Sequence, residues 1–179
     1  LKHFAAWLIR YDHTLIQWVN CQWKCRLLDW LMPRFTHLGG ATATIGFLLL
    51  WLMFAPDSVK WWSVEGLTAL GGSHLAVRGI KAWKPRLRPY LRLGNLHTFP
   101  NPLTDWSFPS GHTTAAFSVA VTFFLHVPDS GIVLLPYAVT VGISRIYLAL
   151  HYPTDVLIGG CLGSGFAVMT AWMFERFVA

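Results

Sequence analysis

The chain has 179 residues, 54% of them hydrophobic and only 12% charged, with ten tryptophans and a mean hydropathy of +0.46. A soluble globular domain carries about twice that share of charge, so the composition excludes an ordinary soluble enzyme and makes the bilayer the expected solvent. The formal charge of +6 is concentrated in the N-terminal third and in residues 81 to 92. Beside a membrane such charge meets anionic headgroups, and no nucleic-acid-binding motif accompanies it.

In chain order, residues 1–35 form the first distinct segment. In FAAWLIRYDHTLIQWV the apolar residues Phe4, Trp7, Leu8, Tyr11, Leu15, Trp18 and Val19 recur at helical spacing, while Arg10, Asp12 and His13 interrupt the run. This pattern predicts an amphipathic helix lying in the interface. Five apolar runs follow, at about 37 to 55, 62 to 80, 111 to 127, 131 to 150 and 154 to 174. Each approaches the roughly 20 residues that a helix needs to cross a hydrocarbon core. The expected fold is all-α: an integral membrane helical bundle of about five transmembrane helices plus the N-terminal interfacial helix. Residues 1–179 then make one domain, with its transmembrane core at 36–179. Cys21, Cys25 and Cys161 lack zinc-ligand spacing, so neither a structural metal nor an obligatory disulfide is expected.

Five alternating helices with short connections bring four helix ends to one side. At the end of the second stands K81-A-W-K-P-R-L-R88-P89, where Pro85 and Pro89 force the chain out of the helix. At the start of the third is P109-S110-G111-H112. Ser110 is placed to cap that helix, and Gly111 lets a ligand approach the free amides of its first turn, an anion site. Across the fourth and fifth runs S144-R145-I-Y-L-A-L-H151-Y-P-T-D155, with Pro153 suited to a first helical turn. Asp155 is then near enough to orient His151, leaving its other nitrogen free as a nucleophile.

The cations Lys81, Arg88 and Arg145, with Ser110 and the Gly111 amide as neutral donors, match the spread charge of a phosphate. Two histidines match a double displacement: one attacks phosphorus, and the other protonates the departing oxygen and later activates water. The cations already neutralise the charge, so no metal and no cofactor are expected.

These residues carry a resemblance. K81-x6-R88-P89, P109-S110-G111-H112 and S144-R145-x5-H151-x3-D155 look like the three signature motifs of the type 2 phosphatidic acid phosphatase family, in type, order and spacing, over residues 81 to 155. The resemblance implies that His151 is a nucleophile forming a phosphohistidine, that Asp155 orients it, and that His112 is the general acid and base. It implies phosphate binding by Lys81, Arg88, Ser110, Gly111 and Arg145. Many bacterial members of that family look like six-helix proteins, and here the amphipathic segment stands where a first span would be.

The expected function is hydrolysis of a lipid phosphomonoester or pyrophosphate, with the bilayer and a membrane lipid phosphate as partners. Undecaprenyl pyrophosphate and phosphatidylglycerol phosphate are favoured substrates by resemblance, with phosphatidic acid and the phosphate of lipid A as others. Two alternatives stay open: a lipid phosphotransferase using the same site, and a non-catalytic bundle that only holds headgroups. His74 and Arg78 share a helix face with Lys81, which gives them a possible supporting role. Glu65 lies at the opposite end and reads as structural; Gly159 and Gly163 read as close helix packing. His97, Asn101, Thr104 and Asp105, in the 90–108 loop, are candidates for selecting a headgroup. By the positive-inside rule the site faces the cytoplasm, whereas the resemblance implies the outer face for many bacterial relatives. Basic residues beside a phosphate site serve the substrate too, so the balance inclines slightly outward and the side stays open.

Overall fold

The protein is seen in a computed structural model that describes residues 2–99 and 104–177. Eight α-helices account for its architecture: α1 Lys2–Gln17, α2 Arg26–Leu38, α3 Ala41–Phe54, α4 Trp61–Trp83, the single turn α5 Pro89–Arg92, α6 Gly111–His126, α7 Gly131–Tyr147 and α8 Pro153–Phe177. All five apolar runs are helical, and no strand occurs among the described residues.

Sequence chemistry sets most boundaries. α4 stops where Lys84, ahead of Pro85, leaves the helical region. α8 opens on Pro153, whose missing N–H has no role in a first turn. The N-terminal segment is two helices rather than one: α1 runs into a π-helical turn, Trp18–Gln22, and α2 starts afresh at Arg26. Gly39 and Gly40 then separate α2 from α3, and the pair is bent by 55°.

By length and composition, Pro128–Tyr147 and Pro153–Phe177 are able to cross a membrane, and the bent pair α2–α3 adds a third span if it crosses as one broken unit. The two other expected spans differ in kind. With 16 residues, α6 is about 24 Å long at 1.5 Å per residue, short of a hydrocarbon core of about 30 Å. α4 has the length but carries Glu65, His74, Arg78 and Lys81.

α6 is the axis of the bundle. Ala115, Ala116, Val119, Ala120 and Phe123 are buried against α3, α4, α7 and α8. Its closest neighbour is α8, and glycines permit the approach: a Cβ at Gly159 would lie 2.7 Å from the Ser110 carbonyl oxygen, and one at Gly163 would lie 2.2 Å from that of Thr114. This contact brings the start of α8 onto the start of α6, where the Ser110 amide donates to the Asp155 carbonyl at 3.0 Å. Outward-facing side chains are apolar on α3 (Leu50, Met53, Phe54), α7 (Ile132, Val133) and α8 (Leu157, Trp172, Phe177). That is the surface of a helix bundle solvated by lipid.

α1 packs on α8. Its outer stripe points away from the bundle, with Trp7, Tyr11 and Leu15, and Trp18 of the π-helical turn that follows, between 40% and 50% exposed. The face turned inward holds Asp12 and Ile16, both buried.

Candidate functional site

The four helix ends meet as their spacing predicts, around a cavity of about 330 Å³. α4 contributes His74, Val77, Arg78 and Lys81; the loop after it gives Arg88 and Asp105; α6 gives Gly111 and His112; Arg145 and His151 close the far wall. A further wall was not foreseen. Gly39 and Ala41, at the α2–α3 bend, also line the cavity. A Cβ on Gly39 would meet Val141 Cγ1 at 2.4 Å and the His112 carbonyl at 3.1 Å, so the Gly39-Gly40 doublet was the available signal.

Arg145, at the last turn of α7, is 2% exposed. Its Nη1 donates to Thr36 Oγ1 at 2.6 Å, while Nε and Nη2 have no hydrogen-bond partner among the described residues. Buried guanidinium donors left unsatisfied are costly, and an anion in the cavity would remove that cost.

His151 sits in the turn between α7 and α8, 1% exposed. The turn is tight enough to put Ala149 at φ 56, in the left-handed region. His151 Nε2 lies 3.2 Å from Arg88 Nη1, and Nδ1 lies 3.7 Å from Asp155 Oδ2. The latter is an ion-pair distance and too long for a hydrogen bond. Burial, helped by the charges of Arg145 and Arg88 and opposed by Asp155, pulls the imidazole down to about 3. It is therefore neutral, with a free lone pair, across the working pH range.

Asp155 itself is fully engaged. Oδ1 accepts from Arg86 Nη1 at 2.6 Å; Oδ2 accepts from the Tyr152 amide at 2.9 Å and from the Ser107 hydroxyl. Arg86 and Ser107 were not singled out in the sequence, because neither belongs to a fixed position of the motifs.

Lys81 and Arg88 are both bridged by Asp105, whose carboxylate Oδ2 takes the lysine and Oδ1 the Arg88 Nη2. Arg88 Nε donates to the Asp105 carbonyl at 2.8 Å, and Nη1 to the Leu150 carbonyl at 2.7 Å. Partial burial works against ionisation of Asp105, but Lys81 and Arg88 outweigh it and hold the carboxyl down at about 2. Of the loop residues proposed to select a headgroup, Asp105 lines the cavity, His97 and Thr104 do not, and Asn101 lies outside the described residues. His97 is clamped through its backbone: its amide donates to Asn20 Oδ1 at 2.8 Å, and its carbonyl accepts from Asn20 Nδ2 at 3.0 Å.

Ser110 departs from expectation. It stands at the N-cap of α6, but its hydroxyl makes no capping bond and pairs with Thr113 Oγ1 at 2.9 Å, fully buried and off the cavity. Thr113 offers a hydroxyl where the cap would otherwise find an amide. Gly111 and His112 do reach the cavity, with the unpaired first amides of α6 behind them. His74 and Arg78 line it directly rather than from behind Lys81.

The chain was compared with known proteins. The model of the PAP2 superfamily matches residues 60–179. The chain is 29% identical to the undecaprenyl-diphosphatase BcrC of Bacillus subtilis over 154 residues, 84% of this chain and 75% of that one. It is 32% identical to the phosphatidylglycerophosphatase B of Bacillus subtilis over 153 residues, 76% of this chain and 70% of that one. The crystal structure of Aquifex aeolicus LpxE superposes with a TM-score of 0.79 at 26% identity, covering 89% of this chain and 93% of that one. Other curated relatives match over shorter stretches, and the chain spans 42% of one and 29% of another.

Proposed function

The chain belongs to the PAP2 superfamily, and from that premise we propose that it is an integral membrane lipid phosphatase hydrolysing a lipid phosphomonoester or pyrophosphate through a phosphohistidine. The observation that carries the reading is a buried Arg145 with two unpartnered guanidinium nitrogens in the same cavity as a neutral His151. A headgroup-binding bundle would need the first and has no use for the second.

In this reading the phosphoryl group lies among Lys81, Arg88, Arg145 and the first amides of α6. His151 Nε2 attacks phosphorus, the bond from phosphorus to the leaving oxygen breaks, and that oxygen takes a proton from His112. Burial and the charge of Arg145 hold His112 down at about 2, so it enters the step protonated only through the negative charge of the bound phosphate beside it. His112 then accepts a proton from water as the water oxygen attacks the phosphohistidine; the P–N bond breaks, releasing phosphate and neutral His151. Asp155 stabilises the positive imidazole of the intermediate. Asp105 yields Lys81 and Arg88 to the substrate. The first turn of α6 needs a glycine at position 111 for the phosphate to approach its amides.

The favoured substrates are undecaprenyl pyrophosphate and phosphatidylglycerol phosphate, the chemistry named in BcrC and phosphatidylglycerophosphatase B. A tail left in the bilayer and a phosphate at its polar edge suit a cavity at the helix ends. The proposal includes several membrane crossings, with the site at one face and a slight inclination to the outer one.

The test is phosphate release by detergent-solubilised protein with chelator and no added metal, over a panel of lipid phosphates and pyrophosphates. Wild type should turn over one lipid far better than the rest, and His151→Ala should lose at least about a thousandfold. Equal release by both proteins, or none by wild type, overturns the reading.

A further inference from the structure

Asp12 is a carboxylate in the middle of a helix whose outer stripe is aromatic, and it is 2% exposed. It follows Leu8 and precedes Ile16 by one turn each, so a charge occupies the apolar inner face of α1. Burying a carboxylate is unfavourable unless every lone pair is used. Here they are used on the catalytic end of the molecule. Oδ2 accepts from Arg86 Nη2 at 2.8 Å and from Thr154 Oγ1 at 2.6 Å, and Oδ1 accepts from the Thr154 amide at 2.9 Å.

Arg86 continues the chain of contacts. Its Nη1 holds Asp155 Oδ1 at 2.6 Å and Thr154 Oγ1 at 2.9 Å, and its guanidinium lies 3.8 Å over the Tyr152 ring. Its carbonyl accepts from the Ser107 amide at 2.8 Å, and Ser107 is the residue whose hydroxyl holds the other Asp155 oxygen. Both oxygens of Asp155 are thus tied to one arginine, Oδ1 directly and Oδ2 through Ser107, and that arginine is tied to Asp12. Asp155 has no hydrogen bond to His151; its Oδ2, 3.7 Å from Nδ1, is held by the Tyr152 amide and by the Ser107 hydroxyl, and Ser107 is itself anchored on the Arg86 carbonyl.

We infer that Arg86 and Asp12 are positioning residues: α1, which lies outside the matched family region, sets the orientation of Asp155 and through it that of the nucleophile. The inference rests on the phosphohistidine reading above. Arg86 also places a fixed positive charge against Asp155 Oδ1 at 2.6 Å, in a planar fork that reaches Asp12 with its other nitrogen, which a neutral donor of the same reach would not do.

A purely structural anchor for α1 predicts a different result from a positioning device. Turnover of farnesyl pyrophosphate in detergent micelles, binding of orthovanadate to the anion cavity and thermal unfolding would be followed in Arg86→Gln, Asp12→Asn and their double variant, with the exposed Arg10→Gln as control. The expected result is a kcat about 10- to 100-fold lower in Arg86→Gln and a smaller loss in Asp12→Asn, with KM and vanadate affinity within about threefold of wild type. The double variant should lose no more than Arg86→Gln alone, since both act through one contact chain. Arg86→Lys should restore part of kcat.

If Arg86→Gln fails to fold, Asp12→Asn, which removes one charge at constant shape, carries the same comparison. Variants that unfold at lower temperature yet keep wild-type kcat below it overturn the inference and leave the phosphatase reading intact. A wild type that releases no phosphate from farnesyl pyrophosphate or from any member of the lipid panel above overturns both.

Discussion

Among the described residues there are two histidine–carboxylate pairs, one at each end of the bundle, and they are built on opposite principles. At the far end His126 Nε2 meets Glu65 Oε2 at 2.7 Å, and the Trp62 ring stacks on the imidazole with centroids 4.9 Å apart and planes 7° from parallel. The pair closes on itself. At the site His151 stands 3.7 Å from Asp155, whose oxygens are taken by Arg86, Ser107 and the Tyr152 amide, and its other nitrogen faces a cavity lined by cations. Two guanidinium nitrogens of Arg145 are left without partners there. Packing for stability satisfies its donors internally, whereas a site keeps donors open for what it binds.

Deleting one histidine at each end gives the largest contrast. His112→Ala should lower turnover by about 10²- to 10⁴-fold, the usual contribution of a positioned acid and base, while vanadate still binds because the cations remain. His126→Ala should leave turnover within a few-fold and instead destabilise the fold by about 1–3 kcal/mol, the penalty for a buried Glu65 left without its partner. Phosphate release and thermal unfolding of the two variants check both halves. A collapse of turnover in His126→Ala would mean that the far end is coupled to the site and that the contrast is misread.

Most of this site was legible because it depends on helix ends, and helix ends are written in short motifs. Pro85, Pro109 and Pro153 mark where α4 stops and α6 and α8 start, and alternation of direction does the rest. Residues whose role comes from tertiary geometry left weaker marks. Asp12 was visible only as a charge interrupting an apolar run, and nothing local says that the interruption faces inward onto Arg86. Asp105 sits 24 residues from Lys81, in a loop with no periodicity, so its bridge across two cations has no sequence signature. The Ser110 hydroxyl was misjudged because a capping rule based on position does not see the competing Thr113 hydroxyl. The span count was read from hydropathy, which registers how apolar the α6 run is but not that its helix stops at 16 residues, short of a hydrocarbon core of about 30 Å.

Asp105 sharpens the comparison at a second level, since it is the carboxylate that occupies two of the site's cations, Lys81 and Arg88. Its carboxyl is held at about 2, so its charge is present at any pH above that and mild acidification does not remove it. Substitution does. Asp105→Asn should free Lys81 and Arg88 and tighten vanadate binding by a few-fold at neutral pH, with the gain shrinking as salt screens the cations. Weaker binding in the variant would instead make Asp105 a group that orders the two cations for phosphate.

The smallest expected effect concerns the turns that carry the two ends. The far turn, Pro128–Ser130, is a helical turn with Ser130 and Gly131 both at negative φ, whereas the turn that presents His151 holds the fully buried Ala149 at φ 56. An alanine in the left-handed region is strained by about 1–2 kcal/mol. Glycine there would relieve that strain, but it would add about 0.5–1 kcal/mol of unfolded-state entropy. It would also forfeit a buried methyl worth about 0.8 kcal/mol. These terms nearly cancel, so Ala149→Gly should shift stability by less than about 1 kcal/mol with kcat unchanged, while Ala149→Val, branched at a positive φ, should destabilise clearly. Unfolding curves and turnover of the two variants test this. A loss of kcat in a stable Ala149→Gly would show that the stiffness of the turn, and not only the contacts of Asp155, holds the nucleophile in place.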